Sequence, residues 1–210
     1  MAKQSKLAAV SPVAVRARRA YFDCRFGQLH VRTAFPTSGG FDEEVTLFCL
    51  HQRDGSSRAF SRFLPEIAAE RSVYAPDLPG SGESDPAPSR SFADAAAAIS
   101  DLAADLRLRQ IDLLGFRYGA AVAIGLGAAR PELVRRLVLI GVPSDERLPA
   151  VTNEALVLST KTEAAGGIKR AREGLPRARF IEVADYGDDL FDVDPKALTK
   201  QFGAFLKGRS

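Results

Sequence analysis

The sequence is poor in the residue types that carry much of enzyme and metal chemistry. Its 210 residues include two histidines, two cysteines, one methionine and no tryptophan. Cys24 and Cys49 are not spaced as a metal-binding pair. We expect them to be two buried free thiols rather than a disulfide, as in a reducing cytoplasm. Nothing in the pattern points to a metal site or a cofactor, and we predict neither.

Long apolar runs and a strong charge of one sign are also lacking. No stretch approaches the roughly 20 apolar residues that cross a bilayer. The formal net charge of +3 is too small to indicate a nucleic-acid partner. Residues 1–20 contain five basic residues and no acid, which favours a basic flexible arm, with a targeting peptide as the alternative. We expect a cytoplasmic protein without a membrane span.

What the chain does contain is an alternation of apolar strands and amphipathic helices. A hairpin is predicted over 21–35 around Gly27-Gln28, and 77–85 is a loop rich in turn formers. Strands are predicted at 45–50, 72–75, 134–140, 154–160 and 180–183, and those at 45–50, 134–140 and 154–160 are expected to be buried. Helices are predicted over 58–70 after Ser57, after Ser91, over 118–129 and from Asp194. Residues 21–210 are therefore predicted to be one α/β domain, a mostly parallel sheet with helices on both faces.

The most informative stretch covers residues 111–121, where a buried strand, a sharp turn and a helix follow one another. The turn has the form Gly115-x-Arg117-x-Gly119. This is the frame of G-x-S-x-G, in which a tight strand-to-helix turn presents one side chain to an active site. An arginine stands where that frame has its nucleophile.

Three further motifs around this turn resemble those of the α/β-hydrolase family. Leu50-His51, followed by Gly55-Ser56-Ser57, is similar to the family's oxyanion loop after the third strand. Residues 75–85 and 130–140 resemble the loop after the fourth strand and the turn into the sixth. The resemblance runs from about residue 21 to the C-terminus and implies the α/β-hydrolase fold. It also implies that the lid is largely deleted, because only residues 141–154 stand where family members insert a cap domain.

The same resemblance implies a degenerate catalytic triad. Arg117 stands in the nucleophile's place, Glu163 matches the acid, and Asp188 matches the histidine that follows the eighth strand. The two histidines of this chain, His30 and His51, both precede the predicted fourth strand. A serine nucleophile needs a base within about 3 Å, and removing a triad costs about 10⁶ in turnover. We therefore expect no ordinary triad.

Other candidate residues have structural as well as functional interpretations. Ser56 and Ser57 lie near the predicted pocket, but helix capping accounts for at least one of them. Asp145 stands where some family members keep their acid, and without a histidine it is expected to cap a loop. Tyr118 either contacts a ligand or packs against its neighbours. We expect His51 to brace the oxyanion loop, and His30 to be structural or to lie on the surface.

Our main hypothesis is a pseudoenzyme with a structural, binding or protein-interaction role. In it, Arg117 pairs with Asp188, and with Glu163 if the family geometry holds, in an ion-pair cluster that plugs a dead pocket. An unpaired buried guanidinium would cost several kcal/mol, so a buried arginine would demand such a partner.

Two alternatives remain open. In the first, Arg117 binds a small anionic molecule beside the N-terminus of the helix that follows it, a position that favours negative charge. The candidate binding residues beside Arg117 are His51, Gln52, Arg53, Tyr118 and Asp188. Asp188 counts against this alternative, because its carboxylate would already neutralise the arginine. In the second, the chain is a hydrolase with a weak or non-standard carboxylic-ester hydrolase activity, with Asp188 or Glu163 as its base.

Overall fold

The fold begins with an antiparallel hairpin. The computed structural model describes residues 15–37, 44–143, 150–159, 165–183 and 187–208. Strands β1 (Arg18–Cys24) and β2 (Gly27–Ala34) form the hairpin, and Arg25 and Phe26 make its turn rather than the predicted Gly27-Gln28. Residues 18–20 belong to β1 and pair with β2, so they are not part of the flexible arm predicted over 1–20. Residues 1–14 lie outside the described residues.

Six more strands complete one eight-stranded sheet. They are β3 (Leu47–Leu50), β4 (Val73–Pro76), β5 (Ile111–Phe116), β6 (Val134–Ile140), β7 (Glu154–Ser159) and β8 (Ala178–Glu182). The order across the sheet is β1-β2-β4-β3-β5-β6-β7-β8. Strand β2 is antiparallel to both of its neighbours, and all the other pairs are parallel. The predicted mostly parallel sheet is confirmed.

Helices cover both faces of the sheet, as predicted. They are α1 (Phe63–Ile67), α2 (Phe92–Asp105), α3 (Tyr118–Ala129), α4 (Ala165–Gly174), α5 (Leu190–Val193) and α6 (Pro195–Leu206). One apolar core lies between the sheet and α2, α3 and α4, and the other lies between the sheet and α1, α5 and α6. Residues 141–153 join β6 to β7, a connection too short to hold a cap domain.

The helix predicted over 58–70 is two separate pieces. A 3-10 turn at Ser57–Phe60 precedes α1, and Ser56, not Ser57, caps it by accepting a hydrogen bond from the Arg58 N–H. Pro65 explains the break, because it has no N–H and would clash with the carbonyl one turn earlier in a continuous helix. It is tolerated only in the first turn of α1.

Two predicted helix starts are confirmed by their caps. The Ser91 hydroxyl accepts a hydrogen bond from the Asp94 N–H at 3.1 Å, and Asp194 accepts one from the Ala197 N–H at 3.0 Å. Pro195 follows at the first position of α6. Helices α4 and α5 were not predicted.

The two cysteines differ from each other. Cys49 on β3 is fully buried, and burial raises the pKa of its thiol. Cys24 is only half-buried, against the prediction, because β1 is an edge strand that is covered on one side. Both are free. Within the described part of the chain, no helix combines the length and the apolar composition that spanning a bilayer requires.

A buried ion-pair cluster, which was not predicted, sits at the start of β5. Asp112 accepts hydrogen bonds from Arg71 at 3.1 Å and from two nitrogens of Arg135 at 2.9 and 2.6 Å. Arg71 and Asp112 have exposures of 0%. Burial raises the pKa of the Asp112 carboxyl, although the Arg135 guanidinium pulls it the other way. Arg135 also donates to the carbonyl of Leu206, so the cluster ties the sheet to the end of α6.

Candidate functional site

The turn between β5 and α3 has the backbone of a nucleophile elbow. Arg117 has φ 50° and ψ −109°, a conformation that side-chain-bearing residues rarely adopt. Its N–H donates to the Ile140 carbonyl at 2.7 Å, and its carbonyl accepts from the Ala120 N–H at 2.8 Å. Strand β6 on one side and helix α3 on the other therefore hold the strained residue in place.

The two glycines of the elbow are required by close packing of the backbone. A Cβ added to Gly115 would overlap the carbonyl oxygen of Gly119. A Cβ added to Gly119 would overlap the carbonyl oxygen of Leu50 at the end of β3. Helix α3 thus begins in direct backbone contact with two strands, and this contact fixes where residue 117 points.

The Arg117 side chain is exposed. One of its terminal nitrogens, Nη1, donates to Oε1 of Gln52 at 3.0 Å, and its guanidinium carbon lies 5.1 Å from the centre of the Phe116 ring. The premise of a buried guanidinium plugging a pocket is therefore wrong. The elbow turns this side chain over the carboxyl edge of the sheet, away from both cores.

The proposed partners of Arg117 are not all within the described residues. Glu163 and Asp145 lie outside them. The backbone of Asp188 forms part of a short 3-10 turn at Gly187–Asp189, but its side chain is outside the described part. Pairing of Arg117 with Asp188 or Glu163 stays a prediction.

His51 braces the loop that carries Gln52. Its ring is buried, and its two nitrogens lie 2.7 Å from the carbonyl oxygen of Gln52 and 2.9 Å from the backbone nitrogen of Leu78. Because a carbonyl accepts and an N–H donates, Nδ1 must carry the proton and Nε2 must accept. Burial lowers the pKa of His51 and favours this neutral form. The lone pair that a general base would need is occupied.

The other histidine is also buried, so the expectation that it could lie on the surface is wrong. His30 Nδ1 lies 2.9 Å from Oδ2 of Asp77, and this oxygen also accepts from the Glu83 N–H at 3.0 Å. The other carboxylate oxygen, Oδ1, accepts from the Ser57 N–H at 2.6 Å. Burial raises the pKa of the Asp77 carboxyl, but the hydrogen bonds from Glu83, Ser57 and His30 outweigh it and leave the pKa below its ordinary value. Sequence analysis missed this pair, which joins β2 to the loop after β4.

A second contact connects the loop after β3 to α3. The Arg53 guanidinium stacks 4.1 Å from the centre of the Tyr118 ring, and both residues donate to the carbonyl oxygen of Arg90. Arg90 in turn pairs with Asp54 at 2.8 Å. Of the two predicted roles of Tyr118, ligand contact or packing, the structure shows packing against its neighbours.

Among the described residues, Arg117 and Gln52 offer this site positive charge and N–H donors. Arginine stays protonated at any physiological pH and cannot attack a carbonyl. Among the residues that the structure describes, no three His, Cys, Asp or Glu side chains are placed to hold a metal ion.

Fold and elbow together define the class of protein. The model of the family described as alpha/beta hydrolase fold matches residues 45–193, and the chain belongs to that family. The solved structure of Cfl2 from Burkholderia cenocepacia is similar with a TM-score of 0.79 at 17% identity, over 93% of this chain and 98% of that one. At this identity the likeness concerns the fold alone.

Two curated proteins are more similar in sequence over a shorter stretch. A 2-hydroxymuconate semialdehyde hydrolase from Pseudomonas sp. (strain CF600) is 39% identical over 98 residues, covering 42% of this chain and 34% of that protein. A pyrrolizixenacetamide deacetylase from Xenorhabdus hominickii is 35% identical over 97 residues, covering 45% of this chain and 36% of that protein. The chain thus spans about a third of the length of these curated relatives.

Proposed function

We propose that this chain is an α/β-hydrolase-family protein that does not hydrolyse esters through a triad and instead binds a small anion at Arg117. The observation that carries the proposal is the exposed guanidinium of Arg117 on an intact elbow backbone. The fold keeps the position that presents a side chain to a ligand, and the side chain it presents is a permanent cation.

The absence of an accessible histidine supports the first half of the proposal. The sequence contains two histidines, and the structure buries both. His51 uses both ring nitrogens in backbone contacts, and His30 is held by Asp77. A serine introduced by chance near the elbow would therefore find no imidazole to activate it.

The surroundings of Arg117 support the second half. Helix α3 is twelve residues long, and its N-terminus, the positive end of its dipole, lies directly after Arg117. The Gln52 amide beside the guanidinium offers further hydrogen-bonding groups. A cation, a helix N-terminus and an amide all favour a negatively charged group on the ligand.

A weak hydrolase activity is the second candidate function. The two curated relatives are a hydrolase and a deacetylase by name, and each matches under half of this chain. In this alternative, Asp188 or Glu163 acts as a base while Arg117 stabilises developing negative charge. An adjacent arginine lowers the pKa of a carboxyl group, which makes it a poorer base.

Hydrolysis of p-nitrophenyl acetate separates the two candidates. We expect the wild type to be no faster than Arg117→Ala, and Arg117→Ser/Asp188→His to exceed both if the pocket can still bind an ester. Arg109→Ala, an exposed arginine before β5, is the matched control. Turnover comparable to that of ordinary esterases, lost in Arg117→Ala but not in Arg109→Ala, would sink the non-hydrolytic proposal.

Calorimetric titration with benzoate and phenyl phosphate tests the anion site. We expect at least one of them to bind the wild type with millimolar affinity or better, and to lose about tenfold in affinity in Arg117→Gln, because a hydrogen-bonded charge contributes about 1.5–3 kcal/mol. Arg109→Gln should bind like the wild type. If the wild type neither binds these anions nor hydrolyses esters, both candidate functions are wrong. A structural or protein-interaction role then remains, and a pull-down with the immobilised chain tests it.

A further inference from the structure

Strand β1 lies at one end of the eight-stranded sheet. Among the described residues, β2 is the only strand that pairs with it. Its outer side therefore carries backbone N–H and C=O groups that no strand of the described chain satisfies. Such an edge is a template for pairing with a strand of another chain. We call this outer side of Arg18–Cys24 the β1 edge.

The hydrogen bonds of β2 show which residues of β1 point outward. The N–H and carbonyl of Gln28 bond to Asp85, and those of His30 bond to Ser84 and Asp77, on the side of β2 away from β1. The direction of bonding alternates along a strand, so the odd-numbered residues of β2 bond to β1. Their register partners are the even-numbered residues of β1. The backbone N–H and C=O groups of residues 19, 21 and 23 therefore point to the β1 edge.

These three residues carry a charge pattern that is its own complement. Arg19, Tyr21 and Asp23 are exposed and lie on one face of the sheet. When two copies of β1 run antiparallel about a two-fold axis at Tyr21, Arg19 of each copy lies opposite Asp23 of the other. The outward residues then exchange two backbone hydrogen bonds in each pair, and the opposite charges attract across the strands. An axis one residue further along, at Phe22, would instead place Arg19 opposite Arg25.

Contacts within one copy favour the same register. Arg32 of β2 lies opposite Arg19, and like charges directly across strands are unfavourable. A carboxylate on the other side of Arg19 offsets that repulsion. The Tyr21 ring leans over the His30 ring, with the ring centres 5.3 Å apart, and its hydroxyl donates to Glu83 at 2.8 Å. The Tyr21 side chain thus extends over the sheet, away from the edge, and leaves room for a second strand at the axis.

We propose that the β1 edge is an interface at which a second copy of this chain pairs antiparallel, so that the two sheets become one. The interface is remote from the elbow, because β2, β4 and β3 separate β1 from β5. Its formation is therefore independent of anion binding at Arg117. One strand from each copy makes a small interface of the kind found in weak complexes, so we expect a dissociation constant of about 10–100 μM.

Sedimentation equilibrium of the full chain, from well below to well above this dissociation constant, tests the pairing. We expect the wild type to show a monomer–dimer equilibrium. Arg19→Asp turns both charge pairs of the dimer into repulsive pairs and should weaken dimerisation about tenfold or more. Arg19→Asp/Asp23→Arg exchanges the two charges and should return the affinity to within about threefold of the wild type. Arg109→Asp, the same change of charge at an exposed residue before β5, is the matched control and should dimerise like the wild type.

Oxidative cross-linking locates the interface. Residue 21 lies opposite its own copy, with Cα atoms about 5.5 Å apart as in a hydrogen-bonded antiparallel pair. A disulfide spans this distance. Tyr21→Cys should therefore form a covalent dimer on mild oxidation, whereas the wild type, whose Cys24 lies opposite Arg18 of the second copy, should not. Ile181→Cys is the control on β8, the strand at the other end of the sheet, and should stay monomeric under the same conditions.

Two kinds of result would overturn the proposal. The first is a wild type that stays monomeric at every concentration, which is also the result expected if residues 1–14 of the same chain occupy the β1 edge. The second is a dimer that forms elsewhere, seen as unchanged dimerisation of Arg19→Asp or as cross-linking of Ile181→Cys but not of Tyr21→Cys. Circular dichroism of each variant shows whether a lost dimer reflects a lost fold.

Discussion

Strand β5 has a charged residue at each end, and the fold surrounds the two very differently. Asp112 at the start is completely buried and bonded to two arginines from other segments. Arg117, directly after the end, is exposed and held by an uncharged glutamine and a strained backbone. The buried charge is surrounded by partners that satisfy it, as stability requires. The exposed charge is held in an energetically costly backbone conformation, of the kind that clusters at active sites and ligand-binding sites.

The largest effect is expected where the buried charge loses its partners. Asp112→Ala leaves Arg71 buried without its carboxylate, and should lower the free energy of unfolding by about 3–5 kcal/mol in urea denaturation. The control is Asp101→Ala, which breaks the more exposed pair with Arg25 and should cost about 0–1 kcal/mol. Equal losses in the two variants would show that the buried cluster at the start of β5 contributes no more to the free energy of unfolding than the exposed pair does.

A smaller loss is expected at the packing that supports the elbow. Gly119→Ala forces a methyl group against the Leu50 carbonyl and should cost about 1–3 kcal/mol by overpacking. Gly203→Ala in α6 is the matched control, because nothing lies within 4 Å of the added Cβ. There the change should instead stabilise by about 0.5–1 kcal/mol, as alanine favours a helix. Urea denaturation of both variants measures the contrast.

The third expected effect is a gain in stability at the exposed end. Arg117→Gly relieves a positive φ that costs about 1–3 kcal/mol, and should raise the free energy of unfolding by about 1 kcal/mol while abolishing anion binding. Arg109→Gly has no positive φ to relieve and should be destabilising. If Arg117→Gly lowers stability as Arg109→Gly does, the elbow is not strained and the contrast between the two ends of β5 fails.

The smallest effect is a dependence on pH through His51. Its folded-state pKa is lowered below the ordinary 6.5, so the unfolded chain binds the proton more readily. Its contribution to stability is complete above pH 6.5 and declines as the pH falls through that value. The difference in unfolding free energy between the wild type and His51→Gln should therefore shrink from pH 8 to pH 5. A difference that grows on acidification would mean that the folded state carries the charged imidazole.

Much of the fold was predictable because local signals agree with packing. Continuous apolar runs such as 137–140 lie in strands covered on both faces, and Ser91 and Asp194 cap helices as their side chains allow. Helix α4 was missed because two adjacent glycines, Gly166 and Gly167, weaken the helical pattern at its start. Its place is set by packing of residues such as Ala171 and Leu175 onto the sheet.

The site was predictable in position and less so in environment. The glycine spacing around Arg117 located the elbow, and family resemblance located the loop that carries His51 and Gln52. Neither indicates whether a side chain ends in solvent, and the arginine was wrongly expected to be buried. The ion pair of Arg71 with Asp112 joins residues that are far apart in the sequence, and no local sequence pattern predicts such a pair.

The packing of Gly115 and Gly119 against neighbouring backbone has one further consequence. These contacts involve main-chain atoms alone, so the shape of the turn does not depend on which side chain residue 117 carries. We therefore expect the same backbone to present a serine, an aspartate or a cysteine at position 117, after one substitution, where it now presents an arginine. For protein design, position 117 is a site where a reactive side chain can be introduced while the backbone of the turn stays unchanged.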